Sequence, residues 1–191
     1  YGWDVTVGSF DWARFRTHLD AELTRLEGAY RATLAKAGVT IFDARASLLD
    51  PHSVQLSTGQ VVTAAHILIA TGGRPFVPDF PGSELAITSN EVFLMPRMPR
   101  RVLVVGGGYI ASEFACILHG LGAEVSQYYR GAQILRGFDE ESRGLVAMAM
   151  RDRGIDIRCG ASITRLEQTA TGVLAHSSDG HAREVDVVMY A

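Results

Sequence analysis

The spacing of apolar residues divides the chain into alternating helices and strands. Phe15, Leu19, Leu23, Leu26, Tyr30 and Leu34 recur at steps of three and four residues, the period of one helix face, so residues 10–37 are predicted as one long amphipathic helix. Ser9 or Asp11 stands near its start and Gly38 ends it. From Val39 to Leu49, through "SVQLSTGQVVTA" to "HILIATGG", the period shortens and glycine turns appear. That pattern predicts a strand, a hairpin and a buried strand. "GRPFVPDFPGSEL" carries three of the six prolines and reads as a crossing loop.

A second unit begins near Pro99. "RVLVVGGG" is predicted as a buried strand, residues 109–121 as a helix and 124–129 as the next strand. A further helix runs from about Asp139 to Arg153, capped by Asp139 and closed by Gly154. The remainder reads as short strands with turns at Thr171-Gly172 and Asp179-Gly180.

Composition narrows the function classes. The chain has 191 residues, 47% of them hydrophobic, and a net charge of -3. That gives no electrostatic footprint for nucleic acid or an anionic membrane, so small molecules are the expected partners. The longest apolar stretches are broken by glycines and by Glu113, so none reads as a membrane span, and a cytoplasmic location is expected. The two cysteines, Cys116 and Cys159, are too far apart for a redox pair and are expected to be buried structural thiols. His52, His66, His119, His176 and His181 show no metal-site spacing, and no serine sits on a nucleophile elbow. The chain starts at Tyr1 without methionine and stops within the apolar run "VDVVMYA", which reads as a piece of a longer protein.

The strongest chemical feature is "VLVVGGGYIASE". Gly106, Gly108 and Ala111 make G-x-G-x-x-A between an apolar strand and a helix, the context a dinucleotide fingerprint requires. The first glycine permits the tight turn, the second lets a pyrophosphate approach the backbone, and the small third residue lets helix and strand pack closely. At the end of the next strand, where an NAD site places an acid for the ribose 2'-hydroxyl, this chain has Tyr129 and Arg130, with Arg136 following. Guanidinium groups there suit the 2'-phosphate of NADP. Read alone, the arginines fit either that grip or solvated loop charges. Upstream, "TAAHILIATGG" leads from Thr63 to Ala70-Thr71-Gly72, either a functional strand end or a plain strand with a glycine turn.

Taken together, "HILIATGG", "VLVVGGGYIASEFACILHGLGAEV" and "YYRGAQILRGFD" resemble the glutathione-reducing branch of the FAD-dependent pyridine nucleotide-disulfide oxidoreductase family. The resemblance covers essentially the whole chain, from "YGW" onward. It implies an α/β chain of Rossmann-like, three-layer dinucleotide-binding domains: a partial FAD-binding domain at 1–98 and an NADPH-binding domain at 99–191. It also implies a homodimeric enzyme in which hydride passes from NADPH to the flavin N5, and electrons then pass through a cysteine pair to glutathione disulfide. By position, Gly106, Gly107, Gly108, Ile110, Ala111, Glu113, Arg130 and Arg136 match NADPH contacts. Tyr109 matches the tyrosine that covers the flavin and swings aside for nicotinamide. Glu113 matches a glutamate that pairs with a lysine beside the flavin, although alone it also reads as a helix-surface acid. Ala46, Thr71 and Gly72 match FAD contacts, and Tyr30 matches a position at the glutathione site.

The departures set limits. Gly131 stands where some members carry a second basic residue. The N-terminal G-x-G-x-x-G, the C-x-x-x-x-C pair, the T-G-R and the C-terminal interface domain with its catalytic histidine are not in the 191 residues. This segment alone is therefore expected not to reduce a disulfide. Another NADPH-linked member, such as a mercuric or other disulfide reductase, remains an alternative, as does a non-catalytic NADPH-binding module. Dihydrolipoamide dehydrogenase is disfavoured, because its use of NAD calls for an acid near Tyr129.

Overall fold

The computed structural model describes residues 2, 4, 6 and 8–191, so Tyr1 and Trp3 of "YGW" lie outside the described residues. In chain order the elements are α1 (Trp12–Lys36), β1 (Ala46–Asp50), β2 (Ser53–Leu56), β3 (Val61–Thr63), β4 (Ile87–Thr88), α2 (Ser89–Val92), β5 (Arg101–Val105), α3 (Tyr109–Gly120), β6 (Glu124–Tyr129), α4 (Glu140–Asp152), β7 (Asp156–Cys159), β8 (Ile163–Gln168), β9 (Val173–Ser177), β10 (Ala182–Val185) and β11 (Val187–Tyr190). They form two compact units: residues 75–191 with the described residues up to Arg16, and Thr17–Arg74.

The larger unit is built on a parallel five-stranded sheet ordered β4-β11-β5-β6-β7. An all-parallel strand is covered on both faces and so reads as a continuous apolar run, as Val102, Leu103 and Val104 do, each almost wholly buried. Val102, Val104 and Val125 pack with Ala111, Ala115 and Leu118 of α3 and with Ala147 and Met150 of α4. Leu103, Tyr128, Val188 and Tyr190 pack on the opposite face with Ile163, Leu166, Val173 and Ala175. Those last residues belong to the antiparallel meander β10-β9-β8. The result is a three-layer unit of helices, parallel sheet and meander. Arg101 fastens the meander: its Nε and Nη2 donate to Asp186 Oδ1 at 3.1 and 2.7 Å.

α4 starts and ends as its sequence predicts. The Asp139 carboxylate accepts the Ser142 amide at 2.9 Å, and Gly154 takes the left-handed conformation at φ 101.

Residues 75–98, grouped with the first unit on sequence, pack here with the nucleotide-type sheet. β4 pairs with β11, and the Thr88–Glu91 capping box starts α2. The Trp12 indole N–H donates to the Met95 carbonyl at 2.8 Å, which ties the start of α1 to the same unit.

The smaller unit holds the rest of α1 and the antiparallel meander β1-β2-β3. Within it Arg31 bridges Glu27 at 2.9 Å and Asp43 at 2.8 Å. Two expectations are corrected in this unit. The strand predicted over 39–49 forms only at Ala46–Asp50, and "HILIATGG" is neither paired nor buried, with Leu68 89% and Ile69 66% exposed. The apolar run has the composition of a central parallel strand, but among the described residues no strand lies beside it to complete its hydrogen bonds. No helix of the described residues is long and apolar enough to cross a membrane.

Candidate functional site

The fingerprint turn lies between β5 and α3, and its conformation follows from its glycines. Gly106 sits at φ 153, and a side chain there would drive a Cβ to 1.9 Å from the Ala191 carbonyl oxygen. Ala111, fully buried, packs against this turn and gives the close helix–strand approach that the pattern predicts.

All three turn carbonyls are held by the protein. The Gly106 carbonyl accepts from Gln127 Nε2 at 3.0 Å, the Gly107 carbonyl from the Leu135 amide at 2.5 Å, and the Gly108 carbonyl from Ser112 Oγ and N, each at 3.2 Å. In a trans peptide the N–H points opposite to the C=O. Fixing these carbonyls therefore turns the amides of Gly107, Gly108 and Tyr109 the other way. Among the described residues the Gly107 and Gly108 amides have no acceptor, and the space beside Gly108 is open. Such unpaired amides at a helix N-terminus are an anion-binding site.

The turn opens on a cleft of about 620 Å³ lined by Gly106, Gly107, Gly108, Tyr129, Arg130 and Arg136, with Phe76, Phe80 and Tyr190 among its other walls. Its volume suits a nucleotide-sized ligand. Arg130 and Arg136 are both exposed and form no ion pair or hydrogen bond among the described residues. Two arginines near by are engaged: Arg183 meets Asp156 at 2.8 Å, and Arg158, 3.4 Å from the same carboxylate, lies 5.6 Å from the centre of the Tyr128 ring. Burial pushes the Tyr190 hydroxyl up to about 12, so this wall of the cleft stays neutral. The two amides at the α3 terminus and the two guanidiniums thus face one cavity, and the residues fit a dinucleotide bearing a 2'-phosphate.

The loop that carries the arginines is built from behind. Ile134 is fully buried, and Arg143 of α4 donates from Nε to the Ile134 carbonyl and from Nη2 to the Gln133 carbonyl, both at 2.8 Å. Leu135 takes a left-handed φ of 60, sparsely populated by leucine, so that its amide reaches Gly107. Tyr129 lies over the turn. A Cβ on Gly107 would come within 2.3 Å of its ring, and one on Gly131 within 2.5 Å. Gly107 and Gly131 thus both leave room for that ring.

Tyr109, 57% exposed, and Glu113, one turn on along the same face of α3, make no side-chain bond among the described residues, and Ile110 is exposed beside them. Ala46, Thr71, Gly72 and Tyr30 belong to the smaller unit and do not line the cleft. There the Thr71-Gly72 backbone is exposed, and Gly72 stands at φ 70 with open space around it, which fits close approach by a ligand. Cys116, expected buried, is exposed. α3 turns Ala111, Ser112, Ala115 and Leu118 inward, and position 116 falls outside that stripe. Among the described residues no cluster of three or more His, Cys, Asp or Glu side chains could hold a metal.

Sequence reasoning missed Gln127, Ser112, Leu135, Arg143 and the role of Gly131. Gln127 carried a signal: it is the long polar residue among the buried central positions of β6. Its amide orientation follows from chemistry, because its Nε2 meets the acceptor Gly106 O and also donates to Ser112 Oγ at 3.2 Å. Its Oε1 is buried without a partner among the described residues, a cost of about 1–3 kcal/mol that a purely packing residue would not incur.

The family described as pyridine nucleotide-disulphide oxidoreductase matches residues 6–191. The chain belongs to that family. Among curated family members it is 43% identical to a glutathione reductase of Burkholderia cepacia over 191 residues, covering 100% of this chain and 42% of the relative. It is 42% identical to a glutathione reductase of Nostoc sp. over 173 residues, covering 91% of this chain and 38% of the relative. The chain thus spans about two fifths of the length of these relatives. Its fold is shared with the HOCl-induced flavoprotein disulfide reductase RclA from Escherichia coli, at a TM-score of 0.87 and 24% identity over 95% of this chain and 42% of that one.

Proposed function

We propose that residues 99–191 bind NADPH and residues 1–98 supply part of the FAD site of an NADPH-dependent disulfide reductase, whose substrate in the full protein is glutathione disulfide. The observation that carries this reading is the pairing of unengaged Arg130 and Arg136 with the free Gly107 and Gly108 amides around one cleft. The amides and the α3 terminus hold a pyrophosphate, while the two guanidiniums hold the 2'-phosphate and disfavour NADH, which lacks it. The likeness to two glutathione reductases supports the choice of substrate.

When bound, FAD supplies the means to take up hydride from NADPH and deliver electrons to a disulfide. The chain's own residues shape its surroundings. Tyr109, exposed and unbonded at the mouth of α3, covers the flavin face, excludes water and moves aside at small cost. Glu113, on the same helix face, pairs with a lysine outside this segment. Ala46, Thr71 and Gly72 contact FAD, Ile110 lies along the NADPH path, and Tyr30 contributes to the glutathione site. The same reading has the full protein working as a cytoplasmic homodimer. The test is NADPH oxidation by the intact protein with glutathione disulfide: turnover with NADPH well above that with NADH is expected, and no disulfide-dependent oxidation would contradict the reading.

A further inference from the structure

We propose that Gln127 is a positioning residue for nucleotide binding, whose buried side-chain amide holds the Gly106 carbonyl inward and thereby aims the Gly107 amide at the ligand's pyrophosphate. The proposal rests on the NADPH reading above and adds a residue that the fingerprint itself does not contain.

The geometry is a buried strap. Gln127, 0% exposed at the centre of β6, donates from Nε2 to the Gly106 carbonyl at 3.0 Å and to Ser112 Oγ at 3.2 Å. Ser112 Oγ in turn donates to the Gly108 carbonyl at 3.2 Å. One side-chain amide therefore fixes, directly or through a hydroxyl, the two peptide planes that carry the Gly107 and Tyr109 N–H groups. Peptide planarity converts inward carbonyls into outward amides. Without the strap the Gly106 carbonyl would be free to rotate toward the cleft, where it would present a partial negative charge to a phosphate.

Packing alone does not call for glutamine here. The neighbouring strand fills the same layer with Val102 and Val104, whereas Gln127 leaves its own Oε1 buried without a donor among the described residues. Serine at position 112 is likewise the polar exception among the buried residues of α3. Two polar residues on facing elements meet at the carbonyls of the fingerprint.

The test is calorimetric titration of the intact protein with NADP+ and with adenosine 2'-monophosphate, which keeps the 2'-phosphate but lacks the pyrophosphate. Gln127→Met keeps the volume and removes the donor. It is expected to weaken NADP+ about tenfold while leaving adenosine 2'-monophosphate within about twofold of wild type. The preference for NADPH over NADH is expected to stay unchanged, since both carry the pyrophosphate. Ser112→Ala, a smaller change, is expected to weaken NADP+ about threefold with the same sparing of the fragment, and it carries the test should Gln127→Met fail to fold. Unchanged NADP+ binding would overturn the proposal, and so would equal weakening of both ligands, which marks a loosened core. Wild-type protein that binds neither ligand would overturn the NADPH reading itself, and the strap with it.

Discussion

The amide of Leu135 donates to the carbonyl of Gly107 at 2.5 Å. This one bond fastens the loop carrying Arg136 to the glycine turn, so the elements assigned to the 2'-phosphate and the pyrophosphate form one rigid corner. Arg143 braces that corner from behind through the Ile134 and Gln133 carbonyls. Arg143→Met keeps most of the side-chain packing but removes both bonds. Titration of the intact protein should show NADPH binding weakened about 3- to 10-fold, the scale of one ordinary hydrogen bond. NADH should weaken less, because it does not use the loop. Equal loss for both nucleotides would mean that the brace serves the fold alone.

Tyr129 and Gly131 constrain one another. With the tyrosine ring in place, any Cβ at position 131 meets it at 2.5 Å. Gly131→Lys alone should therefore lower the melting temperature and fail to tighten NADPH, despite adding a cation beside Arg130. Combined with Tyr129→Val, the same lysine gains room and should tighten NADPH several-fold. Tighter binding by the single variant, read by fluorescence titration, would show that the ring yields without cost.

Much of this corner was legible in the sequence, and the part that was not is physically distinct. The β5 strand, α3, β6 and α4 with its Asp139 cap follow from local periodicity and capping chemistry. Arg130 and Arg136 were found by their distance from the glycines. Contacts set by chain segments far apart were not visible: β4 pairs with β11 about 100 residues later, and Trp12 reaches Met95. "HILIATGG" reads as a buried strand because composition reports what a segment would bury, not whether a neighbouring strand lies beside it. The roles of Gln127 and Ser112 depend on the turn carbonyls they bind, which the local sequence pattern does not place beside them.

Asp186 makes the larger unit sensitive to acid. Burial pushes its carboxyl up, but hydrogen bonds from the Arg101 guanidinium and from the Arg101 and Arg100 amides outweigh that, so it titrates below its ordinary value of 3.8. A depressed carboxylate contributes stability that is present above the unfolded value and is lost as pH falls through the folded one. Urea midpoints should thus show Asp186→Asn less stable than wild type at pH 7, with the gap closing below about pH 4. A gap that stays constant to pH 3 would assign the stabilisation to another group.

In the proposed NADPH site, Arg130 and Arg136 select the nucleotide. The most direct measurement compares the dissociation constants of NADPH and NADH for the intact wild-type protein and for the Arg130→Glu, Arg136→Ala double variant. The wild type should prefer NADPH strongly, and that preference should fall by about 2–5 kcal/mol in the variant, the value of two hydrogen-bonded charge contacts, with NADH binding little changed. A double variant that keeps the wild-type preference would contradict it.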